Sequence, residues 1–451
     1  MDAHLIVLAA GQGTRMNSDL PKVLHCIGGA PLFAHALASG DPLEPRSRVL
    51  VVGHGGDSVR RAAAEIDPDI AVVEQAEQLG TGHAANCARD ALKDATGTAF
   101  VLFGDTPFVR AETLERMARA RAENDIVVLG FSPAVPGRYG RLVMQGDTLE
   151  RIVEFKDASD EERAITLCNG GIFAVDVALL FDLLASLGND NAAGEYYLTD
   201  IVAVARERGL SATAVTCDEA ETLGINTRAE LARAEAIFQT NRRAEALENG
   251  VTLVAPETVF FALDTWIGRD AVIEPNVVFG PGVTVESEAQ IRAFSHLEGC
   301  HVGARAVVGP YARLRPGAEL SNDVKVGNFV EIKNAQLGDG AKVNHLSYVG
   351  DADVGEKANL GAGTVTCNYD GVFKHRTEIG ANAFIGSSTM LVAPVRVGSG
   401  AMTASGSVIT SDVPDGALAL GRARQVNKPG LAQRLFEKLK ALKASKQKDS
   451  R

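Results

Sequence analysis

Two hydrophobic periodicities divide the chain. In the first half, short apolar runs at residues 5–10, 49–52, 70–73, 100–103 and 126–129 alternate with helix-length segments at 57–65, 81–92 and 111–122. Runs this short read as strands buried on both faces, and their alternation with helices predicts a doubly wound α/β sheet over residues 1–226. In the second half, apolar residues recur every six positions: Ile267, Ile273, Phe279, Val285, Ile291 and Leu297. The series resumes with Val302, Val308, Leu314, Leu320, Val326 and Ile332, then Leu337, Val343 and Val349, then Val354 and Leu360. After an interruption it returns as Ile379, Ile385, Leu391, Val397 and Ile409, and glycine follows many of these positions. A six-residue repeat predicts a parallel β-helix with each apolar residue pointing inward, about eight coils if three hexapeptides close a turn. The β-helical domain is expected over residues 251–451. Between the halves, Thr227 and Glu230 are spaced as a capping box opening a helix to residue 248, so residues 227–250 read as a linker helix. Its charges read as a solvated face.

Composition narrows the class. With 451 residues, 46% of them hydrophobic, the chain can bury more than one core. A formal charge of -12 argues against a general nucleic-acid binder, which needs basic surface to displace counterions. The six cysteines contain no C-x-x-C pair, which fits free thiols in a reducing compartment. No charged leader precedes a long apolar segment, and no run approaches the roughly 18 residues of a spanning helix. A soluble, cytoplasmic protein is expected, without a membrane partner.

Candidate chemistry follows the predicted strands, where ligands of such sheets bind. The first strand delivers the backbone into Gly11-Gln12-Gly13-Thr14, whose missing side chains let successive N–H groups approach a phosphate. Arg15 and Lys22 bring fixed positive charge nearby. Two glycines after a strand are also an ordinary tight turn. The stretch is neither a Walker A loop, lacking Gly-Lys-Ser/Thr, nor the dinucleotide fingerprint, since position 16 is Met. In the stretch from Gln75 to His83, a Gln amide offers a donor and an acceptor to a base edge, and Gly80-Thr81 opens a helix. A polar helix cap is the plainer alternative. Asp105, after Gly104, is either a turn acid or a ligand of Mg²⁺, an ion that takes one or two protein oxygens plus substrate phosphates.

The sentence L-A-A-G-x-G-T-R-M followed by L-P-K resembles the signature of the sugar-1-phosphate nucleotidyltransferases. Gly104-Asp-x-Pro107, Tyr139-Gly-Arg141, Val153-Glu-Phe-Lys156, Asn169-Gly-Gly171, Glu195 to Asp200 and Gly224-Ile-Asn226 then arrive in series. In this order, over residues 4–227, they resemble the uridylyltransferase domain of the bifunctional bacterial family that makes UDP-N-acetylglucosamine. The resemblance implies that Leu8, Ala9, Gly11, Lys22, Gln75, Gly80 and Thr81 bind the nucleotide. It implies Mg²⁺ on Asp105 and Asn226, and sugar-phosphate contacts from Gly140, Glu154, Asn169 and Asn226. N-acetylglucosamine-1-phosphate would attack the α-phosphorus of UTP and pyrophosphate would leave. No protein nucleophile is needed, only positioning and neutralisation by the metal, Arg15 and Lys22.

The repeat half is similar to the left-handed hexapeptide-repeat family, whose members usually assemble as trimers. Its polar exceptions are Arg313 to Pro316, Asn328 to Lys333, Asn344 to Tyr348 and Asn359 to Gly363, with Thr366 to Gly371 opening an interruption expected to protrude onto a neighbouring subunit. This constellation resembles the glucosamine-1-phosphate acetyltransferase domain of the same bifunctional family. It implies His345 as general base toward acetyl-CoA, an imidazole titrating near working pH and oriented by a carboxylate such as Glu331. Arg315, Lys333, Tyr348 and Asn359 would hold the sugar phosphate, while Ala362, Asn368, Tyr369, Ser387, Ser405 and Arg422 would line the acetyl-CoA site. The family pattern is departed from at Ser405, where Ala is common, and at Leu420-Gly421 before Arg422. His296, His301 and His375 read as surface histidines, and residues 431–444 as a basic amphipathic helix.

Two other readings stay open at the level of sequence. A single-function sugar-1-phosphate nucleotidyltransferase would use the β-helix for trimerisation or regulation, or for sugar or CoA binding without chemistry. A metal-dependent hydratase on the same β-helix would want several converging histidines, an arrangement that His296, His301 and His345 do not make in sequence.

Overall fold

A computed structural model describes residues 2–11, 13–53 and 56–448, except the side chains of residues 446–448. Gln12, in the glycine-rich loop, lies outside the described residues. The chain divides into two compact units. One is Met1–Ile267 with Pro275–Val283, the other Gly268–Glu274 with Thr284–Arg451.

The first unit is built on strands β1 (Ala3–Ala9), β2 (Ser47–Val52), β3 (Ala71–Glu74), β4 (Thr98–Phe103), β5 (Ile126–Phe131), β6 (Arg141–Gln145), β7 (Thr148–Val153), β8 (Cys168–Asp176) and β9 (Ala212–Cys217). The main sheet runs β9-β5-β8-β4-β1-β2-β3. Every residue of β1 is buried, and from Leu5 to Ala9 the run is unbroken and apolar, as a central strand requires. Parallel partners β2 and β4 flank β1 on opposite sides, which opens a crevice beyond its carboxyl end. The sheet is not wholly parallel: β8 runs antiparallel to both β4 and β5, and the β6–β7 hairpin joins it through Arg141 opposite Cys168. Strand direction leaves no trace in a buried run such as Ile172 to Val175, because burial on both faces looks the same either way.

Helices α1 (Asp57–Ile66), α2 (Thr81–Asn86) and α3 (Ala111–Arg121) follow β2, β3 and β4. The segment expected to be helical to residue 92 leaves the α-helix at Asn86, whose side chain accepts from Arg89 Nε at 3.1 Å, and resumes as a 3-10 turn at Asp90–Leu92. Helix α4 (Arg228–Glu248) has the expected capping box: Glu230 N donates to Thr227 Oγ1 at 3.2 Å and Thr227 N to Glu230 Oε2 at 2.9 Å. It packs on the first unit through Phe238, against which any side chain at Gly28 would collide, and Glu235 accepts from Gly28 N at 2.8 Å.

The second unit is a left-handed parallel β-helix with three strand ladders. Inward residues stack coil on coil, Ile273 on Ile291, Leu314 on Ile332, and Leu320 on Leu337. All of the repeat positions from Ile273 to Ile409 named above are buried. Two hexad positions at which the apolar series skips are threonines, Thr366 and Thr403, both buried. Thr366 exchanges hydrogen bonds with Gly350 N and O at 2.8 and 3.0 Å, and Thr403 accepts from Gly386 N at 3.0 Å. A hydroxyl so satisfied replaces a methyl group in the core without leaving an unpaired donor. One corner column takes left-handed backbone at Phe294, Tyr311, Phe329, Leu346, Gly363, Ser388 and Gly406. The interrupting loop leaves after Cys367 and rejoins at Thr377. Helix α5 (Leu431–Lys448) closes the chain. Among the described residues, no helix is long and apolar enough to cross a membrane.

Candidate functional sites

The crevice beyond β1 holds the first site. Leu8, Ala9, Gly11, Lys22, Gln75, Gly80 and Thr81 all line one cleft of about 330 Å³, together with Gln78, Phe103, Asp105 and Glu195. Gln75 is buried, its amide nitrogen donating to Gly80 O at 3.0 Å, so part of its hydrogen-bonding capacity is spent on shaping the loop. Thr81 Oγ1 accepts from Leu198 N at 3.0 Å, which ties the helix start to the Glu195–Leu198 segment. Sequence reasoning passed over Gln78. Its amide donates to Ala10 O at 2.8 Å, and a side chain at Gly53 would crowd the same carbonyl, so both residues hold the glycine-rich turn in place.

Charge converges at the mouth. Lys22 Nζ binds Asp105 Oδ2 and reaches Asn226 Oδ1 at 3.1 Å, while Arg15 Nη2 donates to the same Asn226 oxygen at 2.9 Å. Asn226 is oriented by the cap of α4, its N–H donating to Glu230 Oε2 at 2.7 Å. Among the described residues no three His, Cys, Asp or Glu side chains converge as a metal cage. One carboxylate and one amide oxygen, already gathered around a cation, instead fit a hard divalent ion that completes its shell with water and substrate oxygens.

Around Gly140, the arrangement is tight. A methyl group there would sit 3.3 Å from Glu154 Oε1, and Gly140 O accepts from Asn169 N at 2.9 Å, so three of the four sequence-predicted sugar residues are neighbours. Arg141 is almost fully buried and spends its guanidinium on the carbonyls of Gly137, Tyr139 and Arg163, a structural brace for this turn. Burial, then Asp200 and Asp157, push the Glu154 carboxyl above the usual range.

In the β-helix, the corner carrying His345 repeats upward. Gly363 N donates to His345 O at 3.1 Å, Ser388 N to Ala362 O at 2.7 Å and Gly406 N to Ser387 O at 2.8 Å. Asn328, His345, Ala362, Ser387 and Ser405 therefore stand in one column on successive coils. The expected partnership of His345 with Glu331 is not made. Glu331 Oε1 instead pairs with Arg315 Nη1 at 2.8 Å, because these two side chains lie on adjacent strands of another ladder. His345 Nδ1 meets Asn328 Oδ1 at 2.8 Å. The 17-residue coil spacing between Asn328 and His345 is the signal that would have found it.

Tyr348 lies on the same ladder as Glu331, its ring folded over Gly350, where no Cβ would fit. Lys333 is two strand positions beyond Glu331, opposite Gly350, and is approached by Lys374, from the interrupting loop, which sequence reasoning missed. Close approach of the Lys374 ammonium and its charge, then burial and Arg315, hold Lys333 below the usual lysine range. Asn368 is buried and approaches Tyr348 Oη at 3.5 Å, whereas Tyr369, Ser387, Ser405 and Arg422 are exposed. Asn359 is not brought to this face: it pairs with Lys342 and Phe384 on a different ladder.

The fold and these two side-chain sets define a two-unit transferase, a sugar-phosphate nucleotidyltransferase unit followed in one chain by a left-handed hexapeptide β-helix. Residues 5–168 match the MobA-like NTP transferase domain. Over 445 residues the chain is 68% identical to the bifunctional protein GlmU of Jannaschia sp. (strain CCS1), covering 99% of this chain and 98% of the relative. It is 66% identical over 448 residues to the same-named protein of Ruegeria sp. (strain TM1040), covering 99% and 100%. The chain belongs to the family of bifunctional GlmU proteins.

Proposed function

We infer that this chain makes UDP-N-acetylglucosamine in two steps: acetyl transfer from acetyl-CoA to glucosamine-1-phosphate, then uridylyl transfer from UTP to N-acetylglucosamine-1-phosphate with release of pyrophosphate. The observation that carries the reading is the family match, which spans both units rather than the nucleotidyltransferase unit alone.

In the first unit, the glycine-rich turn and the N-terminus of α2 receive the nucleotide, with Gln75 at its base and Gly140, Glu154, Asn169 and Asn226 around the sugar phosphate. Mg²⁺, held by Asp105 and Asn226, would draw the phosphates together and neutralise their charge. Arg15 and Lys22, already on the Asn226 oxygen, sit where the phosphates must enter and oppose their mutual repulsion.

In the β-helix, Asn328 fixes the tautomer of His345. An amide oxygen only accepts, so Nδ1 carries the proton and Nε2 keeps its lone pair. That nitrogen takes the proton of the sugar amine as the amine attacks the thioester carbonyl. It then returns the proton to the sulfur as the C–S bond breaks and CoA leaves. Arg315, Lys333 and Tyr348 face the sugar phosphate, and the Ala362–Ser387–Ser405 column with Tyr369 and Arg422 follows CoA.

The active assembly is a homotrimer in the cytoplasm that handles small molecules and engages neither nucleic acid nor membrane. What supports an assembly is the exposed aromatic stack Phe294, Tyr311 and Phe329, with centroids 4.9 and 5.3 Å apart, on the corner that leads to His345. Asn359, on another ladder of its own chain, would meet the site of a neighbouring copy.

Thiol release from acetyl-CoA with glucosamine-1-phosphate, followed beside pyrophosphate release from UTP with N-acetylglucosamine-1-phosphate, tests the reading. His345→Ala is expected to lower the first by about 10²–10⁴-fold and leave the second unchanged. Absence of thiol release from the wild type would leave a nucleotidyltransferase on a β-helical scaffold.

A further inference from the structure

Where the interrupting loop leaves the β-helix, a second corner column takes left-handed backbone: Gly299 (φ 52°), Gly317 (φ 80°), Asn334 (φ 44°) and Asp351 (φ 48°). Asn and Asp are the side-chain-bearing residues that tolerate this region best. Asp351 is only 7% exposed, yet it is no isolated buried charge. Its Oδ1 accepts from Asn334 Nδ2 at 2.5 Å, on the coil below, and its Oδ2 accepts from Asn368 Nδ2, on the coil above. A carboxylate clasped between two amide donors makes charge-assisted bonds in both directions.

Asn368 is the first residue of the loop. Its carbonyl accepts from His375 N at 2.8 Å, which closes the loop at its base. The far end is held by Arg376, which donates to both oxygens of Asp353. Inside, Asp370 accepts from Val372 N at 2.8 Å and Phe373 N at 2.7 Å and faces His375 Nε2 at 2.7 Å. A loop so fastened, with Lys374 bridged across it to Tyr369, brings the Lys374 charge near Lys333. Burial pushes the Asp351 carboxyl up, but the bonds from Asn334 and Asn368 and the charges of Lys374 and Lys333 outweigh it and hold it below the usual range.

We propose that Asp351 is a positioning residue for acetyl transfer: by fixing Asn368 it sets the loop so that Lys374 joins Lys333 in receiving the phosphate of the amino-sugar phosphate. Asp351 itself touches no substrate. This rests on the reading that the face bearing Lys333 and Tyr348 binds glucosamine-1-phosphate for acetylation.

Asp351→Asn keeps the size of the side chain and its tolerance of left-handed backbone, but presents one acceptor to two donors. The KM for glucosamine-1-phosphate is expected to rise about tenfold, the scale of one charge-assisted contact, with pyrophosphate release from UTP unchanged. Lys374→Gln should give a similar rise, and the two changes together no more than either alone, since they act through one contact. Rescue is specific. In Asn334→Asp/Asp351→Asn the new amide donates downward to Asp and accepts from Asn368 above, so the KM is expected to return close to that of the wild type. An unchanged KM in Asp351→Asn, additive effects with Lys374→Gln, or no recovery in the double exchange would overturn the proposal. Should Asp351→Asn fail to fold by thermal unfolding, the double exchange is compared directly with the wild type, and a raised KM there counts against it. Failure of the wild type to release thiol would instead remove the acetyl-transfer reading on which the proposal stands.

Discussion

On the proposed mechanism, the Asn328–His345 contact sets which imidazole nitrogen is free. Asn328→Ala is expected to cut acetyl transfer by at least about tenfold through loss of tautomer control, with pyrophosphate release untouched. Asn328→Asp should move the acetyl-transfer pH profile upward, since an adjacent carboxylate favours the charged imidazolium. At Glu154 the environment works against ionisation: the folded carboxyl is raised by burial and by Asp200 and Asp157, so its charged form costs stability near neutrality. Glu154→Gln should therefore raise the thermal midpoint at neutral pH, with the gain over wild type shrinking as pH falls through the raised value, while the KM for N-acetylglucosamine-1-phosphate increases. Individual residues were unevenly legible in the sequence. The nucleotide set could be named because its motifs resemble those of a known family, and one cleft gathers it. The pairing of Asn328 with His345 and the parts played by Lys374 and Asp351 were invisible because they depend on a coil repeat of 17 residues or on a loop path.

Secondary elements transmit order to these residues. Thr227→Ala, removing the hydroxyl of the α4 capping box, is expected to cost about 1 kcal/mol in unfolding measurements. It should also weaken uridylyl transfer, because Glu230 in the same box holds the Asn226 N–H. Ile332→Ala, in the fully buried ladder below Val349, should cost about 2–5 kcal/mol. The hexad pattern made the β-helix readable from sequence, coil by coil. Its threonine positions escaped because Thr366 and Thr403 bury their hydroxyls against backbone, which a hydrophobic count cannot register. In the α/β unit, alternation located the central strands, but it could not tell that β8 runs backward or that the β6–β7 hairpin hangs from it.

At the scale of the whole molecule, each unit carries its own candidate set, and a net charge of -12 coexists with small cationic clusters at both. Local charge is sufficient for anionic metabolites, whose repulsion needs opposing over a few ångströms rather than across a surface. The stacked corner from His345 through Ala362 and Ser387 to Ser405 has one more consequence. Successive strands are spaced about 4.8 Å apart, so the column measures roughly 14 Å from base to top in fixed increments. On the proposed reading it would act as a gauge of ligand length: an acyl donor held at the upper rungs would need an arm of that reach for its thioester to arrive at the imidazole, and a truncated thioester would anchor or react but not both.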